Sequence, residues 1–293
     1  MRTSTLSDTS EVDNDAHILP IITDEDWPIQ VYDGDIDADL CRFDSVQMAE
    51  TIFGGLSHTS KMPGPSFNLP ASACPTGSKL REISGSPCSV CYAADTYEWR
   101  KKSAKSLGTR YKLSNFIGDA VRRANSLRLH CLRDPLWVPA LTYVLLCGDN
   151  GREIDWMRWF SSGDVQSPAH LQNVMSVVRA TPETRHWMPT MEHSMAKDVV
   201  PPKNMAIRVS GTKINRPPPS GFSCFSTIST GDEPACGGFR CPAAKAVEFT
   251  CGNCRACWDH AVGHVDYHEK QFAALARERL CIRIQKRPPT AIR

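Results

Sequence analysis

Seven cysteines stand in two groups whose spacing suits metal binding. The groups are Cys74, Cys88 and Cys91, and then Cys241, Cys251, Cys254 and Cys257. A C-x-x-C pair lets two sulfurs converge on one metal, and thiolates are the soft ligands that suit zinc and iron–sulfur clusters. The chain has thirteen cysteines in 293 residues, and its start has no apolar stretch of a signal peptide. We therefore expect metal or redox chemistry rather than a disulfide framework.

The second group has the spacing C-x9-C-x2-C-x2-C. The run C-x-x-C-x-x-C is typical of bacterial ferredoxins, in which a remote cysteine followed by proline completes the ligand set of a 4Fe–4S cluster. Cys241, which precedes Pro242, is the candidate for that remote ligand. Structural zinc more often uses two separated C-x-x-C pairs. The pattern therefore indicates a metal, with a 4Fe–4S cluster as the first interpretation and zinc or unligated cysteines as the alternatives.

The first group supplies only three thiols. Three protein ligands leave one iron of a 4Fe–4S cluster open, and at a zinc ion they leave a catalytic vacancy, so either metal could bind a substrate or cofactor there. The alternative is a closed structural zinc site that a nearby histidine such as His58 completes.

The elements that must position these groups alternate between strand and helix from about residue 66 onward. Strands are predicted in "SFNLPA", "IDWMRWF", "TRHWMPTME", "NMAIRVSGTKI" and "SGFSCFSTIST", and helices in "WVPALTYVLLCG" and "SPAHLQNVMSVVRATP". This alternation predicts an α/β fold of parallel β/α units, either an open sheet or a barrel. Chemistry in such folds gathers at the carboxyl ends of the strands. Cys74, the tripeptide Ser162-Gly163-Asp164, and the pair Glu192 and His193 all fall at such ends.

Each of these polar residues has an ordinary interpretation beside the functional one. Asp164 either belongs to a functional site or caps the helix that follows it. Glu192 and His193 are either an acid–base pair or a hydrogen-bonded loop segment. Histidines recur every four residues at positions 260, 264 and 268, on a predicted helix beside the second cysteine group, and the final helix is predicted over about residues 265–281. On a helix they would share one face, which is either a source of one metal ligand or an ordinary polar face.

Charge and composition divide the chain into three parts. Residues 1–43 are predicted to be an acidic, largely disordered arm, residues 44–235 the β/α core with the first cysteine group, and residues 236–293 a cysteine-rich region with the final helix. Residues 1–50 carry a net charge of −11, so the remainder carries +13. The basic body suggests an anionic partner such as DNA, RNA or a nucleotide, and the alternative is that the arm simply neutralises the body. No run approaches the ~18 apolar residues of a membrane span.

Several stretches together resemble the phage proteins of the gene product eighty-eight type. They are "PSFNLPA" with the following Cys-Pro and C-x-x-C-Tyr-Ala, then "SGD" after a strand, and "FRCP…CGNCRACW" near the end. The chain is similar more loosely to the radical S-adenosylmethionine superfamily, although thirteen residues rather than three separate its first two cysteines. The resemblance implies a partial β/α barrel. In such a barrel, Cys74, Cys88 and Cys91 would hold a 4Fe–4S cluster. The loop Ser162-Gly163-Asp164 would hold the amino group of S-adenosylmethionine. The second cysteine group would hold an auxiliary cluster.

These observations predict a phage-type iron–sulfur enzyme that modifies an anionic substrate such as a nucleotide or a DNA base. It would need an electron donor, and we expect it in the cytoplasm, that of the host if a phage encodes it. The alternatives are a non-catalytic nucleic-acid-binding protein stabilised by zinc or iron–sulfur, and a redox or electron-transfer protein.

Overall fold

The computed structural model describes residues 19–268, apart from 24, 60, 92, 94–118, 149–152, 232, 235 and 245–249. Seven parallel strands form one open sheet in the order β1-β2-β3-β4-β5-β7-β6. The strands are β1 (Ser66–Phe67), β2 (Trp156–Trp159), β3 (Arg185–Thr190), β4 (Met205–Ser210), β5 (Phe225–Ser229), β6 (Phe239–Arg240) and β7 (His264–His268). The prediction of an α/β fold with parallel strands is confirmed, and the sheet is open rather than closed.

The described helices are α1 (Ile36–Leu40), α2 (Val46–Phe53), α3 (Gly77–Leu80), α4 (Asp119–Cys131), α5 (Trp137–Cys147), α6 (Pro168–Ala180) and α7 (His193–Ala196). Helix α6 begins where the Ser-Pro signal predicts, because the Ser167 hydroxyl accepts a hydrogen bond from the His170 amide and Pro168 occupies the first turn. None of the described helices is long and apolar enough to cross a bilayer.

The two faces of the sheet bury different side chains, because successive residues of a strand point to opposite sides. On one face, Trp159 and Phe67 pack with Trp137 of α5, and the Phe67 and Trp137 rings lie 5.4 Å apart. On the other face, Trp187 packs against Trp258 with ring centroids 5.1 Å apart. Helices therefore cover one face, while the cysteine-rich segment near Trp258 covers the other.

Residues 19–43 correct the prediction of a largely disordered arm. Ile29 and Phe43 are buried in the core, and the Ser126 hydroxyl of α4 donates to the Leu19 carbonyl. Arg133 donates further hydrogen bonds to carbonyls of this segment, including that of Trp27 at 2.6 Å. The acidic composition predicted disorder. The few apolar residues of the segment are buried by contacts with distant parts of the folded chain, which composition does not reveal. Residues 1–18 lie outside the described part.

The beginning of the predicted final helix is a strand. His264–His268 forms β7, which pairs with β5 over five residues, so the helix predicted from residue 265 is wrong at its start. The segment "HVDYH" alternates between two environments, with Val265 and Tyr267 against Trp187 and Trp258 and with Asp266 buried on the opposite face. A spacing of four residues fits a strand face as well as a helix face, which explains the error. Residues 269–293 lie outside the described part.

Two buried histidines make the fold sensitive to acid. Burial lowers the pKa of His170 and of His186 to about 3. His186 accepts a hydrogen bond on Nδ1 from the Trp159 indole, 3.3 Å away, so its neutral form is the one that fits. Between pH 6.5 and 3 the unfolded chain binds more protons than the folded one, so the free energy of unfolding falls as the pH falls, by about 1.4 kcal/mol per pH unit for each histidine.

The variant His186→Gln is expected to flatten this acid dependence. Urea unfolding of the full chain, followed from pH 8.5 to 4.5, should give a slope below pH 6.5 that is about 1.4 kcal/mol per pH unit smaller than that of the wild type. Comparing the two proteins cancels the contribution of every other titrating group, and above pH 7.5 their slopes should coincide. Parallel curves over the whole range would contradict the assignment of a neutral, buried His186.

Two cysteine groups and the polar loops beside them

The first cysteine group lies just beyond the carboxyl end of β1, at the edge of the sheet where chemistry was expected. Cys74 follows a 3₁₀ turn, Ala71–Ala73, and Cys88 lies in another, Pro87–Val90, which ends at Cys91. The Ser86 hydroxyl accepts a hydrogen bond from the Cys88 amide at 3.2 Å and so fixes the start of the second turn. The fold thus brings residues 14 positions apart into one loop cluster.

Gly77 allows two of these sulfurs to lie close to one backbone segment. A Cβ atom at Gly77 would lie 3.5 Å from the Cys74 sulfur, 3.6 Å from the Cys88 sulfur and 2.9 Å from the Cys74 Cβ. Burial raises the pKa of the Cys74 thiol well above its usual value, and the nearby Asp164, Cys91 and Cys88 raise it further. Burial also raises the pKa of Cys88 to about 11, with Cys91 as the next cause. Cys88 and Cys91 therefore act electrostatically on Cys74, and a bound cation would relieve that repulsion.

The tripeptide Ser162-Gly163-Asp164 follows β2 and lies beside the same loop. The Ser162 hydroxyl donates to the Leu69 carbonyl at 2.8 Å. Gly163 has a φ of 79°, and a Cβ there would approach the Leu69 Cβ to 2.5 Å, so only glycine lets the two loops pack this closely. The loops after β1 and β2 are therefore held together by backbone contact.

Asp164 links the loops after β2 and β3. Its carboxylate accepts hydrogen bonds from the Thr190 hydroxyl and the Met191 amide, both at 2.7 Å, and from the Val165 amide at 2.8 Å. Burial raises its pKa to about 7, although these hydrogen bonds favour the charged form. Since Ser167 caps α6, the alternative in which Asp164 caps that helix is wrong.

Glu192 and His193 have separate partners. The Glu192 carboxylate is buried and accepts hydrogen bonds from the Thr76 amide and hydroxyl, both at 2.7 Å. The His193 ring nitrogen Nε2 lies 2.9 Å from the Ser210 carbonyl, to which it donates. Glu192 therefore holds the loop that carries Cys74, and the two side chains form no hydrogen bond with each other among the described contacts.

The second cysteine group lies on the sheet face opposite the helices. Cys241 directly follows β6, and its amide donates to the Asp266 carbonyl of β7 at 2.8 Å. The Cys257 sulfur lies 3.2 Å from the Tyr267 hydroxyl. Burial raises the pKa of Cys257 to about 12 and also raises that of Cys241 and Cys251, and neighbouring thiols of the group add to each shift. The four thiols share one partly buried site.

Buried hydrogen-bond donors without acceptors surround this second group. Arg208 of β4 is fully buried; it donates to the carbonyls of Ala256, Cys257 and Asp259, but its Nη1 has no partner. The Arg158 Nε and the Trp187 Nε1 also lack hydrogen-bond acceptors. No carboxylate in the described part forms an ion pair with Arg208. Unsatisfied buried donors and an unpaired cation are costly, so this site is chemically suited to a negatively charged group with sulfur acceptors.

Both groups have donor sets that fit a thiolate-bound metal, but their side chains do not stand at coordinating positions. Among the described residues, no three His, Cys, Asp or Glu side chains are arranged to hold a metal ion as they stand. The first group offers three thiols beside the Arg81 Nε, a buried donor without an acceptor, and the second offers four thiols beside two arginines. Three thiols suit a cluster with one open iron, and four suit a closed site.

The three candidate histidines near the second group do not share a helix. His260 lies in a turn, while His264 and His268 belong to β7. The His264 ring stacks on Phe225 at 4.4 Å and its Nε2 lies 2.8 Å from the Thr227 hydroxyl. His264 is therefore engaged by its strand neighbours.

Residues that support these groups were not among those predicted from the sequence. Arg158 and Arg208 each interrupt an otherwise apolar strand, "WMRW" and "MAIRVS", and a charge inside a buried strand is a signal that it has a partner. Thr76 carried no such signal. Residues 100–128 carry nine lysines and arginines, and most of these positions lie outside the described part.

Comparison with known proteins gives one family. The model of the family gene product 88 matches residues 44–260, a region that contains both cysteine groups. No curated protein and no solved structure matches the chain.

Proposed function

The chain belongs to the gene product 88 family, a phage gene-product family, and from this starting point we propose that it is an iron–sulfur enzyme. It resembles radical S-adenosylmethionine enzymes and acts on an anionic substrate such as a nucleotide or a DNA base. The observation that carries the proposal is the gathering of Cys74, Cys88 and Cys91 at the carboxyl edge of an open parallel sheet, beside Asp164. Three thiols and an adjacent polar loop are what a cluster with one free coordination position requires.

In this proposal Cys74, Cys88 and Cys91 hold a 4Fe–4S cluster. When bound, the cluster supplies one electron for cleavage of a carbon–sulfur bond in S-adenosylmethionine. The chain's own part is to bind and to orient. Glu192 fixes the cysteine loop through Thr76.

Asp164 is the residue we assign to the amino group of S-adenosylmethionine. Its Oδ1 accepts hydrogen bonds from Thr190 and Val165, whereas its Oδ2 accepts only the Met191 amide. A carboxylate oxygen has two lone pairs, so Oδ2 can accept a further hydrogen bond from an ammonium group. That cation would also favour the charged form of Asp164, whose pKa burial raises to about 7.

The charge of the body supports an anionic substrate. Residues 51–293 carry a net charge of +13, and a positive field raises the local concentration and the association rate of an anion. Nucleotides and nucleic acids are the substrates that this charge favours most directly.

Anaerobic purification followed by a cleavage assay tests the proposal. We expect a brown protein with about eight iron atoms per chain if both cysteine groups hold 4Fe–4S clusters. With dithionite and S-adenosylmethionine it should release 5′-deoxyadenosine. A colourless protein that contains zinc, or a fully iron-loaded protein that releases no 5′-deoxyadenosine, would overturn the enzymatic proposal.

The second group supports two alternative functions. Four thiols beside Arg158 and Arg208 suit a closed metal site, which would stabilise a non-catalytic nucleic-acid-binding protein or pass electrons. Iron in the protein without S-adenosylmethionine cleavage would favour electron transfer, and zinc would favour the structural role.

A further inference from the structure

A cavity of about 330 Å³ opens at the amino edge of the sheet, opposite the first cysteine group. Trp156 and Arg185, the first residues of β2 and β3, form one side of it, and Arg255, Trp258, Asp259 and His260 form the other. Asp164 and Glu192 follow the carboxyl ends of the same two strands. This cavity is therefore separate from the first cysteine group, where the reaction is proposed, and Arg255 and Trp258 in its wall are chain neighbours of Cys254 and Cys257 of the second group.

Two tryptophan rings and an arginine guanidinium form the wall of the cavity. Trp156 meets Trp258 edge to face with ring centroids 5.7 Å apart, and the Arg255 guanidinium lies over the Trp156 ring at 5.1 Å. Arg255 is held there because its Nη1 donates to the carbonyls of Gly252 and Cys254. Trp258 is fixed by the hydrogen bond from its indole to the Met157 carbonyl at 2.8 Å. Hydrogen bonds to the backbone therefore hold both Arg255 and Trp258 in the wall.

The rim carries polar groups that the fold does not use. The side chain of Arg185 is exposed and makes no hydrogen bond or ion pair among the described residues, and the same holds for His260. Among the residues that line the cavity, Asp259 is the one acidic side chain, whereas Arg185 and Arg255 are basic. A free guanidinium beside a stacked aromatic surface is the arrangement that binds a phosphate next to a planar base.

We propose that this cavity binds a nucleoside phosphate unit. Its base stacks on the wall formed by Trp156 and Arg255, and its phosphate binds Arg185, with His260 as a second donor. The volume lies at the small end of the range for ligand pockets and suits a single nucleotide. The unit is either a free nucleotide or one nucleotide of a single DNA strand, since both present the same base and phosphate.

Binding to the anaerobically purified full chain tests the proposal. Intrinsic tryptophan fluorescence is titrated with deoxyadenosine monophosphate, deoxyadenosine, inorganic phosphate and a ten-residue single strand of deoxyadenylate. We expect the nucleotide, the strand or both to quench the fluorescence. Arg185→Glu should lower the affinity at least tenfold, and His260→Ala should lower it severalfold. Arg179→Glu is the matched control, because Arg179 is also exposed, on α6, and lies outside the cavity; it should change the affinity less than twofold.

Each arm has a defined meaning. If the mononucleotide binds with a dependence on Arg185, the ligand is a free nucleotide, and if only the strand does, the ligand is single-stranded DNA. Equal weakening by Arg185→Glu and Arg179→Glu would overturn the proposal, because it would show binding by general charge. Equal affinity for phosphate and nucleotide would overturn it as well, since the base would then make no contact. Equal affinity for deoxyadenosine and nucleotide would also overturn it, since the phosphate would then make no contact. All four probes failing to bind would also overturn it, whether or not 5′-deoxyadenosine is formed in the cleavage assay.

Discussion

Replacing Cys74, Cys88 and Cys91 together by alanine is expected to reduce 5′-deoxyadenosine formation below detection and to lower the iron content from about eight to about four atoms per chain. The three thiols gather in one loop cluster, so their removal leaves no soft ligand at that position. Cys147→Ala is the matched control, since Cys147 is exposed at the end of α5 and belongs to neither group. Equal losses in the triple variant and the control would contradict the assignment, as would unchanged cleavage in the triple variant.

Gly77→Ala refines this test because it keeps all three thiols. The added methyl would lie 2.9 Å from the Cys74 Cβ and would force Cys74 to shift, while the two sulfurs would be in contact with it. Alanine in a helix is otherwise stabilising by up to about 1 kcal/mol relative to glycine. We therefore expect a lower iron content and slower cleavage in a chain that still folds. Gly231→Ala is the control, because its methyl would meet only the Glu233 carbonyl, at 3.9 Å.

The parallel β/α architecture could be predicted from the sequence because its signals are local. Alternation in "IDWMRWF", apolar runs in "NMAIRVSGTKI" and the Ser-Pro start of α6 each depend on a few neighbouring residues. Rules for parallel sheets then placed Cys74, Asp164 and Glu192 at one edge, which the structure confirms.

What the sequence could not reveal depends on contacts between distant residues. Glu192 appeared to be an acid–base candidate, but it accepts hydrogen bonds from Thr76, 116 positions away. The pairing of β7 with β5 decides the structure of a segment whose histidine spacing fits helix and strand equally. Arg208 is explained only by the carbonyls of residues 256–259, which no local pattern connects to β4.

The proposed metal site in the second group predicts that removing its metal lowers the stability of the fold, with a loss on the order of 10 °C in Tm. The segment that carries Cys251, Cys254 and Cys257 covers one face of the sheet and packs Trp258 against Trp187. Without a metal, the buried cation of Arg208 has no anionic partner among the described residues, and its Nη1 stays unsatisfied. Chelation under reducing conditions, followed by thermal unfolding of the full chain, measures this loss.

Arg208→Met shows whether that loss comes from the thiolate site. The variant loses the hydrogen bonds from Arg208 to three carbonyls in both the metal-loaded and the metal-free protein. Only in the metal-loaded protein does it also lose the attraction between the Arg208 cation and the negatively charged thiolate site. Its cost in free energy of unfolding should therefore be larger in the loaded protein than in the stripped protein, by about 2 kcal/mol. Arg128→Met is the matched control: Arg128 is also buried and also donates to carbonyls, those of Gly54 and Gly55, but it belongs to α4. The cost of Arg128→Met in free energy of unfolding should be the same in the loaded and the stripped protein. If the cost of Arg208→Met is also the same in both, Arg208 only binds backbone carbonyls and does not interact with the thiolate site.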